Sequence, residues 1–481
     1  MIEYKLFIHR IGLVGITNIL VALSSLILLP ILTKSFVAAE YGIWVQITTT
    51  IFLFSNLTTL GLPFAMLRFL SAEKNRMKIQ EGFYSVLIAV ILSSVILLSI
   101  FILFSESISN ALFNNNLGIV IIVAFTIFFA GLNGVLLGYF RTFQQMKVYS
   151  IFVLFQTYSG VFVVSYLAIS NFDIYYVTIG LFVTYLFTFA LMFLFISNNL
   201  RIKIPQFKNL RKYLSFGIPT IPSNFSYWAV DSSDRYIIGF LLGTTFVGYY
   251  APGYILGNII IILLSPFSFL LPSVLPKYYD KNDIKTVTSF LEYSLKYFLL
   301  IAIPSAFGIS LLSKPVLILL TTPEIALNGY LITPFVAFST LLYGVYGIIS
   351  NILVLEKKTK IIGFIWIIAA LVNIILNIII VPYLGIIGAA ITTSISYIAA
   401  FSLSYYYSIQ FFKININYHF IFKCLIASLL MSVFIIIINP NGILSILCTI
   451  MISCVIYFGL IYIFKGITKN EVMYFKKMFK I

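Results

Sequence analysis

The positions of the positive charges constrain this chain more than any other feature. All but three of its 30 Lys and Arg residues fall into eight short clusters, and two apolar segments of membrane-spanning length separate each cluster from the next. Because short loops rich in Lys and Arg stay in the cytoplasm, the pattern predicts that both termini are cytoplasmic. The clusters are Lys5/Arg10, Arg68 to Lys78, Arg141/Lys147, Arg201 to Lys212, Lys277 to Lys296, Lys357 to Lys360, Lys413/Lys423 and Lys465 to Lys480.

The composition indicates an integral membrane protein. Hydrophobic residues make up 61% of the 481 residues and charged residues only 9%, which is too little polar surface to cover a soluble globule. About 20 apolar residues cross a bilayer as a helix. We therefore predict an all-α fold with 14 transmembrane helices. They lie near residues 11–33, 42–63, 82–104, 117–139, 149–170, 174–196, 213–242, 246–271, 297–319, 330–355, 361–382, 386–411, 420–438 and 443–464.

Several classes of function are excluded at this stage. The net charge of +16 follows from topology and from attraction to anionic lipid, so we predict no nucleic-acid partner. The three Cys residues include no close pair that would suggest metal or redox chemistry, and we predict no metal and no cofactor. The loops are too short for a soluble catalytic domain, and no P-loop, H-E-x-x-H or Gly-x-Ser-x-Gly motif occurs. We therefore predict no catalytic residues.

The chain shows weak internal similarity. Residues 36–42, which end helix 1, parallel residues 244–250, and chance similarity in an Ile/Leu-rich chain is the alternative explanation. A duplication of six helices predicts two lobes that face the same way, joined by the basic connection 198–212. We predict an N-lobe of residues 1–200, a C-lobe of residues 201–412, and helices 13 and 14 with a cytoplasmic tail in residues 413–481.

The predicted helix 7 contains the strongest candidate site. Asp231, Asp234 and Arg235 lie inside this apolar segment, where each costs roughly 2.5–3.5 kcal/mol near the bilayer centre and therefore should not face lipid. At about 100° per residue the three share one face of the helix. The same face carries further polar and aromatic candidates for substrate binding, namely Asn224, Tyr227 and Trp228.

Two interpretations of this stripe are open. In one, Asp231 and Arg235, four residues apart, form a structural salt bridge at the outer end of the helix. In the other, Arg235 binds an anionic head group, because a guanidinium bonds two phosphate oxygens at once, and an Asp takes part in coupling to H⁺ or Na⁺. Pro219 and Pro222 are expected to bend or break the cytoplasmic end of the helix.

Other candidates are less specific. Arg68 and Arg141 follow helices 2 and 4 at the cytoplasmic mouth, where each either meets a phosphate or anchors the topology. Tyr249 is one of the aromatic residues on which a sugar ring could stack. Further polar stripes, on Gln46, Thr49 and Thr50 and on Asn373 and Asn377, are more typical of contacts between helices.

Two stretches carry a resemblance to a known family. DSSDRYIIGFLLGTTFVGYYAPGYIL (residues 231–256) resembles the polysaccharide repeat-unit flippases, also called O-antigen flippases, which commonly show an Asp-Arg pair, a small-residue turn and Gly-x-Tyr. GLPFAMLRFLSAEKNR (residues 61–76) is similar to the other recurring stretch of that family. The family belongs to the multidrug/oligosaccharidyl-lipid/polysaccharide exporter superfamily.

The resemblance implies a fold and a function. Two six-helix lobes would form a V around a cavity that opens to each side in turn, and helices 13 and 14 would offer a groove for a prenyl tail. The expected substrate is an undecaprenyl-pyrophosphate-linked oligosaccharide, moved across a bacterial cytoplasmic (inner) membrane for surface polysaccharide assembly. Expected partners are membrane lipid, a polysaccharide polymerase and a chain-length regulator.

Two rival functions remain. A multidrug exporter of the same fold would use Asp231 and Asp234 to bind organic cations directly. A polysaccharide polymerase would be an integral glycosyltransferase, but such enzymes usually need a long external loop, which this sequence lacks.

Overall fold

The computed structural model describes residues 2–466, with side chains from residue 12 onward, and this part of the chain is almost entirely helical. A short 3₁₀ turn, Ile218–Thr220, separates the ninth helix from the tenth. The helices are α1 (Ile2–Ser35), α2 (Ala38–Thr58), α3 (Leu62–Leu70), α4 (Arg76–Leu103), α5 (Ser105–Leu112), α6 (Leu117–Thr142), α7 (Met146–Ile169), α8 (Ile174–Leu200), α9 (Leu210–Gly217), α10 (Ile221–Leu242), α11 (Thr244–Asn258), α12 (Ile261–Tyr279), α13 (Ile284–Leu320), α14 (Pro323–Gly329), α15 (Ile332–Ile349), α16 (Asn351–Leu355), α17 (Thr359–Ser408), α18 (Tyr418–Ile438) and α19 (Ile443–Ile463).

The helices confirm an all-α integral membrane fold. Among the described residues, 11 helices are long and apolar enough to cross a membrane, or up to 12 if the bent pair α2 and α3 forms one span. The predicted count of 14 is not confirmed. Two features lower the count: α17 contains two helical segments joined at Gly385, and α10 carries three ionisable residues.

Particular residues interrupt the helices. Pro219 and Pro222 separate α9 from α10, as predicted, because a proline lacks an N–H for the helical ladder and its ring clashes with the preceding turn. Gly61 adopts a left-handed φ of 66°, at the point where α2 and α3 meet at 46°. Gly385, at φ 60° and ψ −146°, breaks the helical geometry inside α17.

The described chain contains two compact units. The first comprises residues 2–251 and 370–389, and in it α6 contacts α2, α3, α4, α5, α7 and α8 around a core that includes Phe83 and Phe140. The second comprises residues 252–369 and 390–466, and in it α13 contacts α12, α14, α15, α18 and α19. The predicted division at residues 200 and 412 stays a prediction, and its tail after residue 466 lies outside the described residues.

Two glycines bring α2 and α11 together within the first unit. A Cβ on Gly42 would collide with the main-chain carbonyl of Thr244, and a Cβ on Gly248 would collide with that of Ala38. Both residues belong to the segments whose sequences resemble each other. The contact holds the start of α11 beside α2, and this places Tyr250 close to α10.

Candidate functional site

The candidate site is built on α10, which packs against α2 and α5 in the first unit. Pro222 stands in the first turn of α10, where its missing N–H costs nothing, and Gly243 ends the helix with a φ of 98°. On the α2 side, Gly239 lies against the amide of Gln46, and a Cβ there would collide with it. The backbone of α10 therefore lies close to α2 near the C-terminal end of α10.

A buried ion pair lies in the middle of α10. Asp234 is fully buried and the Arg235 side chain is largely covered, with Arg235 Nη1 3.3 Å from Asp234 Oδ1. The Arg235 main-chain N–H donates to the same oxygen at 2.8 Å, and the Tyr250 hydroxyl donates to Asp234 Oδ2. These donors compensate the carboxylate for its lost hydration, as burial of a charge requires.

Asp231 contributes differently. Its main-chain carbonyl accepts a hydrogen bond from Arg235 Nη1 at 2.7 Å, and its half-buried carboxylate accepts one from Ser232 Oγ at 3.0 Å. The guanidinium thus lies against the carboxylate of Asp234 and the backbone of Asp231. Both aspartates of the predicted face therefore contact Arg235.

The structure brings Asn224, Tyr227 and Trp228 together in a cleft of about 160 Å³, which we call the amide–aromatic cleft. Its other wall is the end of α2 and the start of α3, and the described lining residues include no charged side chain. Trp228 is buried, and its ring packs against Phe225 and Tyr236 at centroid distances of 5.7 Å each. The lining residues are Phe52, Leu53, Asn56, Leu57, Thr59, Gly61, Phe64, Ile221, Asn224, Phe225, Tyr227 and Trp228.

This lining has a definite chemical character. Asn56 and Asn224 supply amide groups, and Phe225, Tyr227 and Trp228 supply aromatic faces. Amides hydrogen-bond hydroxyl groups, and aromatic rings cover the apolar faces of flat or ring-shaped ligands. Trp228 Nε1 is buried with no acceptor among the described residues. The cleft therefore suits a neutral, hydroxyl-bearing ring.

The remaining predicted residues lie elsewhere. Arg68 and Arg141 are exposed and are not among the residues that line the cleft, although Arg68 lies one helical turn beyond the lining residue Phe64. Tyr249 is half-buried on α11, where its ring packs against Phe246. The structure therefore groups Asn224, Tyr227 and Trp228, and separates Arg68, Arg141 and Tyr249 from them.

Several partners of α10 were absent from the predicted site. Tyr250 binds Asp234, Thr50 Oγ1 lies 2.6 Å from the Tyr236 hydroxyl, and Ser233 Oγ donates to Asn373 Oδ1 at 3.1 Å. The polar stripes on helices 2 and 11 were the available signal for Thr50 and Asn373. The Gly-x-Tyr of the family resemblance, which ends at Tyr250, was the available signal for that residue.

The described residues contain no group of three or more His, Cys, Asp or Glu side chains that could hold a metal ion. The ionisable groups on α10 are instead joined to one another and to hydroxyl and backbone groups. The site can therefore bind a ligand through polar and aromatic contacts and through charge.

Comparison with known proteins decides the family. The model of the family described as "polysaccharide biosynthesis protein" matches residues 9–278, more than half of the chain. The chain belongs to this family. A second model, MatE, matches residues 219–379, so it covers α10 and the helices that follow it.

The chain is also similar, at low sequence identity, to an individual protein. The probable low-salt glycan biosynthesis flippase Agl15 of Haloferax volcanii is 25% identical over 231 residues, which are 48% of this chain and 49% of Agl15. The alignment thus spans about half the length of that relative.

Solved structures show the fold. The lipid II flippase MurJ, in an inward closed conformation, has a TM-score of 0.78 at 20% identity, covering 93% of this chain and 98% of MurJ. An inward-facing multidrug resistance MATE family transporter of the MOP superfamily has a TM-score of 0.69 at 13% identity, covering 82% of this chain and 97% of the transporter. This member of the polysaccharide biosynthesis family therefore has a membrane-transporter fold, and the predicted resemblance is confirmed.

Proposed function

We propose that the protein is a flippase for undecaprenyl-pyrophosphate-linked oligosaccharide repeat units, which it moves from the cytoplasmic to the outer leaflet by alternating access. Family membership, the MurJ-like fold and a relative named as a glycan biosynthesis flippase support this proposal. The observation that carries it is the amide–aromatic cleft, whose chemistry fits a neutral sugar, on the same helix as a sheltered guanidinium.

The amphiphilic substrate explains why a protein is needed. A sugar-pyrophosphate head group loses its water of hydration in hydrocarbon, at a prohibitive free-energy cost, unless the protein supplies polar partners. In this proposal Asn224, Tyr227 and Trp228 contact the sugar. Arg235 lies on the same face, about 11 Å further along α10 from Trp228 at ~1.5 Å per residue, and its charge attracts the pyrophosphate.

The proposal extends to the other untested assignments. Asp231 and Asp234 hold Arg235 and take part in coupling to H⁺ or Na⁺, and Arg68, Arg141 and Tyr249 contact the head group as it enters or leaves. The protein works in the bacterial cytoplasmic membrane with both termini inside. A polymerase and a chain-length regulator use its product for surface polysaccharide or O-antigen assembly.

The competing function is export of organic cations. The match to the MatE family model favours it. However, the Asp234 carboxylate is fully buried and already receives bonds from Arg235 and Tyr250, so a cation would have to displace an internal ion pair. The flippase is therefore the better supported of the two functions.

Transport by purified protein in vesicles separates these functions. A fluorescent lipid-linked oligosaccharide placed in the outer leaflet of the vesicles should be moved inward by protein whose cytoplasmic side faces out, and so become protected from an impermeant reductant outside. Asn224→Ala or Trp228→Ala should slow this by about tenfold, equivalent to ~1.4 kcal/mol. Phe240→Ala, which removes an exposed side chain outside the cleft on the same helix, is the matched control. Extrusion of a cationic dye, with no movement of the oligosaccharide, would instead establish the exporter.

A further inference from the structure

A second cavity, which we call the apolar groove, lies in the first unit beside the amide–aromatic cleft. It has a volume of about 500 Å³, and its walls come from α2, α4, α5, α10 and α17. Leu97 and Ile100 from α4, Ile108 from α5 and Ile237 from α10 are among the side chains that line it. Neither the family assignment nor the predicted site gives this groove a role.

The groove is apolar even though hydroxyl-bearing residues line it. Thr50 and Tyr236 bond each other at 2.6 Å, and Ser233 donates to Asn373 at 3.1 Å, so these hydroxyls are engaged within the protein. The wall formed by the described residues is therefore hydrocarbon and aromatic. A sugar or phosphate placed here would lose its hydration without replacement partners, whereas an alkyl or isoprenoid chain would not.

The groove and the cleft adjoin each other. Leu53 and Trp228 line both, so the amide-bearing cleft and the apolar groove meet at these two side chains. Along α2, the distance from Asn56 in the cleft to Thr50 in the groove is about 9 Å at ~1.5 Å per residue. Two adjoining sites of opposite polarity match a ligand with a polar head joined directly to an apolar tail.

We propose that the apolar groove binds the isoprene units next to the pyrophosphate of the lipid-linked substrate. This assignment rests on the proposed function and adds to it a protein site for the tail. Continuity with the cleft is the reason for choosing a substrate tail over the acyl chain of an ordinary phospholipid. The site differs from α18 and α19, where the family resemblance implied a groove for the tail.

Photolabelling of the full-length protein in lipid nanodiscs tests the assignment. The probe is a farnesyl pyrophosphate analogue with a benzophenone on its isoprenoid chain and no sugar, and labelled peptides are identified by mass spectrometry. We expect labels within residues 97–112 and 233–237. Unlabelled polyprenyl pyrophosphate should compete, and phosphatidylethanolamine should not.

Two neighbouring residues of α4 give a matched pair of variants. Leu97 lines the groove, whereas Ile96 is 62% exposed and absent from the lining. Leu97→Trp should fill the groove and lower the labelling at least about tenfold, while Ile96→Trp leaves it unchanged. Mapping on the unsubstituted protein tests the assignment even if Leu97→Trp does not fold.

The outcomes test the groove assignment and the proposed function separately. Labels confined to residues 418–463, equal competition by phosphatidylethanolamine, or equal effects of the two Trp variants would overturn the groove assignment while leaving transport intact. Labels in the groove that Leu97→Trp removes, in a protein that moves no lipid-linked oligosaccharide, would support the groove and reject the flippase.

Discussion

At the scale of single residues, Asp234 and Arg235 show how a charged pair persists in an apolar helix. The carboxylate is fully buried and receives bonds from the guanidinium, a main-chain N–H and the Tyr250 hydroxyl. The sequence predicted that these residues share a protected face, because neither charge tolerates lipid. It did not predict the hydrogen bond from Tyr250 to Asp234, because that bond depends on where tertiary packing places α11.

The pair predicts strong coupling between the two substitutions. Asp234→Asn removes the negative charge 3.3 Å from the buried guanidinium and should cost roughly 3–5 kcal/mol of stability. Arg235→Gln should cost a similar amount, and the double variant should lose clearly less than the sum of the two. Thermal unfolding of purified protein in detergent, analysed as a double-mutant cycle, measures this coupling. Additive losses would show that the two residues act independently.

At the scale of helices, some breaks between helices can be predicted from the sequence and others cannot. Pro219 and Pro222 were predicted to interrupt helix 7, and the chain does change from α9 through a 3₁₀ turn to α10 there. The break at residues 259–260, between α11 and α12, was not predicted, because no proline or glycine occupies it. The apolar pattern of residues 246–271 alone reads as one helix. A helix break that is determined by packing against other helices leaves no pattern in the local sequence.

The contact between α2 and α11 gives a prediction about elements. Gly42→Ala and Gly248→Ala each place a Cβ against a main-chain carbonyl of the other helix, so each should destabilise the protein by about 1–3 kcal/mol. Gly363→Ala, inside α17 with open space around it, is the control and should be neutral or stabilise by up to ~1 kcal/mol. Melting temperatures in detergent compare the three. If all three variants behave alike, the contact is not tight.

At the scale of the whole molecule, the pattern of charge predicts orientation, which helical geometry alone does not determine. Lys277, Lys281 and Lys285 cluster at the start of α13, whereas Lys314 near its other end is isolated and lies over the ring of Tyr330, 5.7 Å from its centroid. Basic residues concentrate on the cytoplasmic side, so the start of α13 should be inside. The fold class followed from composition and the length of the apolar segments. The predicted number of spans is not confirmed, because bends and charged helices blur the boundaries.

Cysteine labelling across α13 tests this orientation. The helix has 37 residues, about 55 Å at ~1.5 Å per residue, and the bilayer core is ~30 Å thick, so residues beyond its two ends should lie on opposite sides. Asn282 and Asn328 are exposed, one before α13 and one after it. In a background with the exposed Cys448 and Cys454 changed to Ser, Asn328→Cys should react with an impermeant maleimide from outside and Asn282→Cys should not. The opposite result would mean that the protein lies in the membrane in the reverse orientation. The proposed transport step would then run inward.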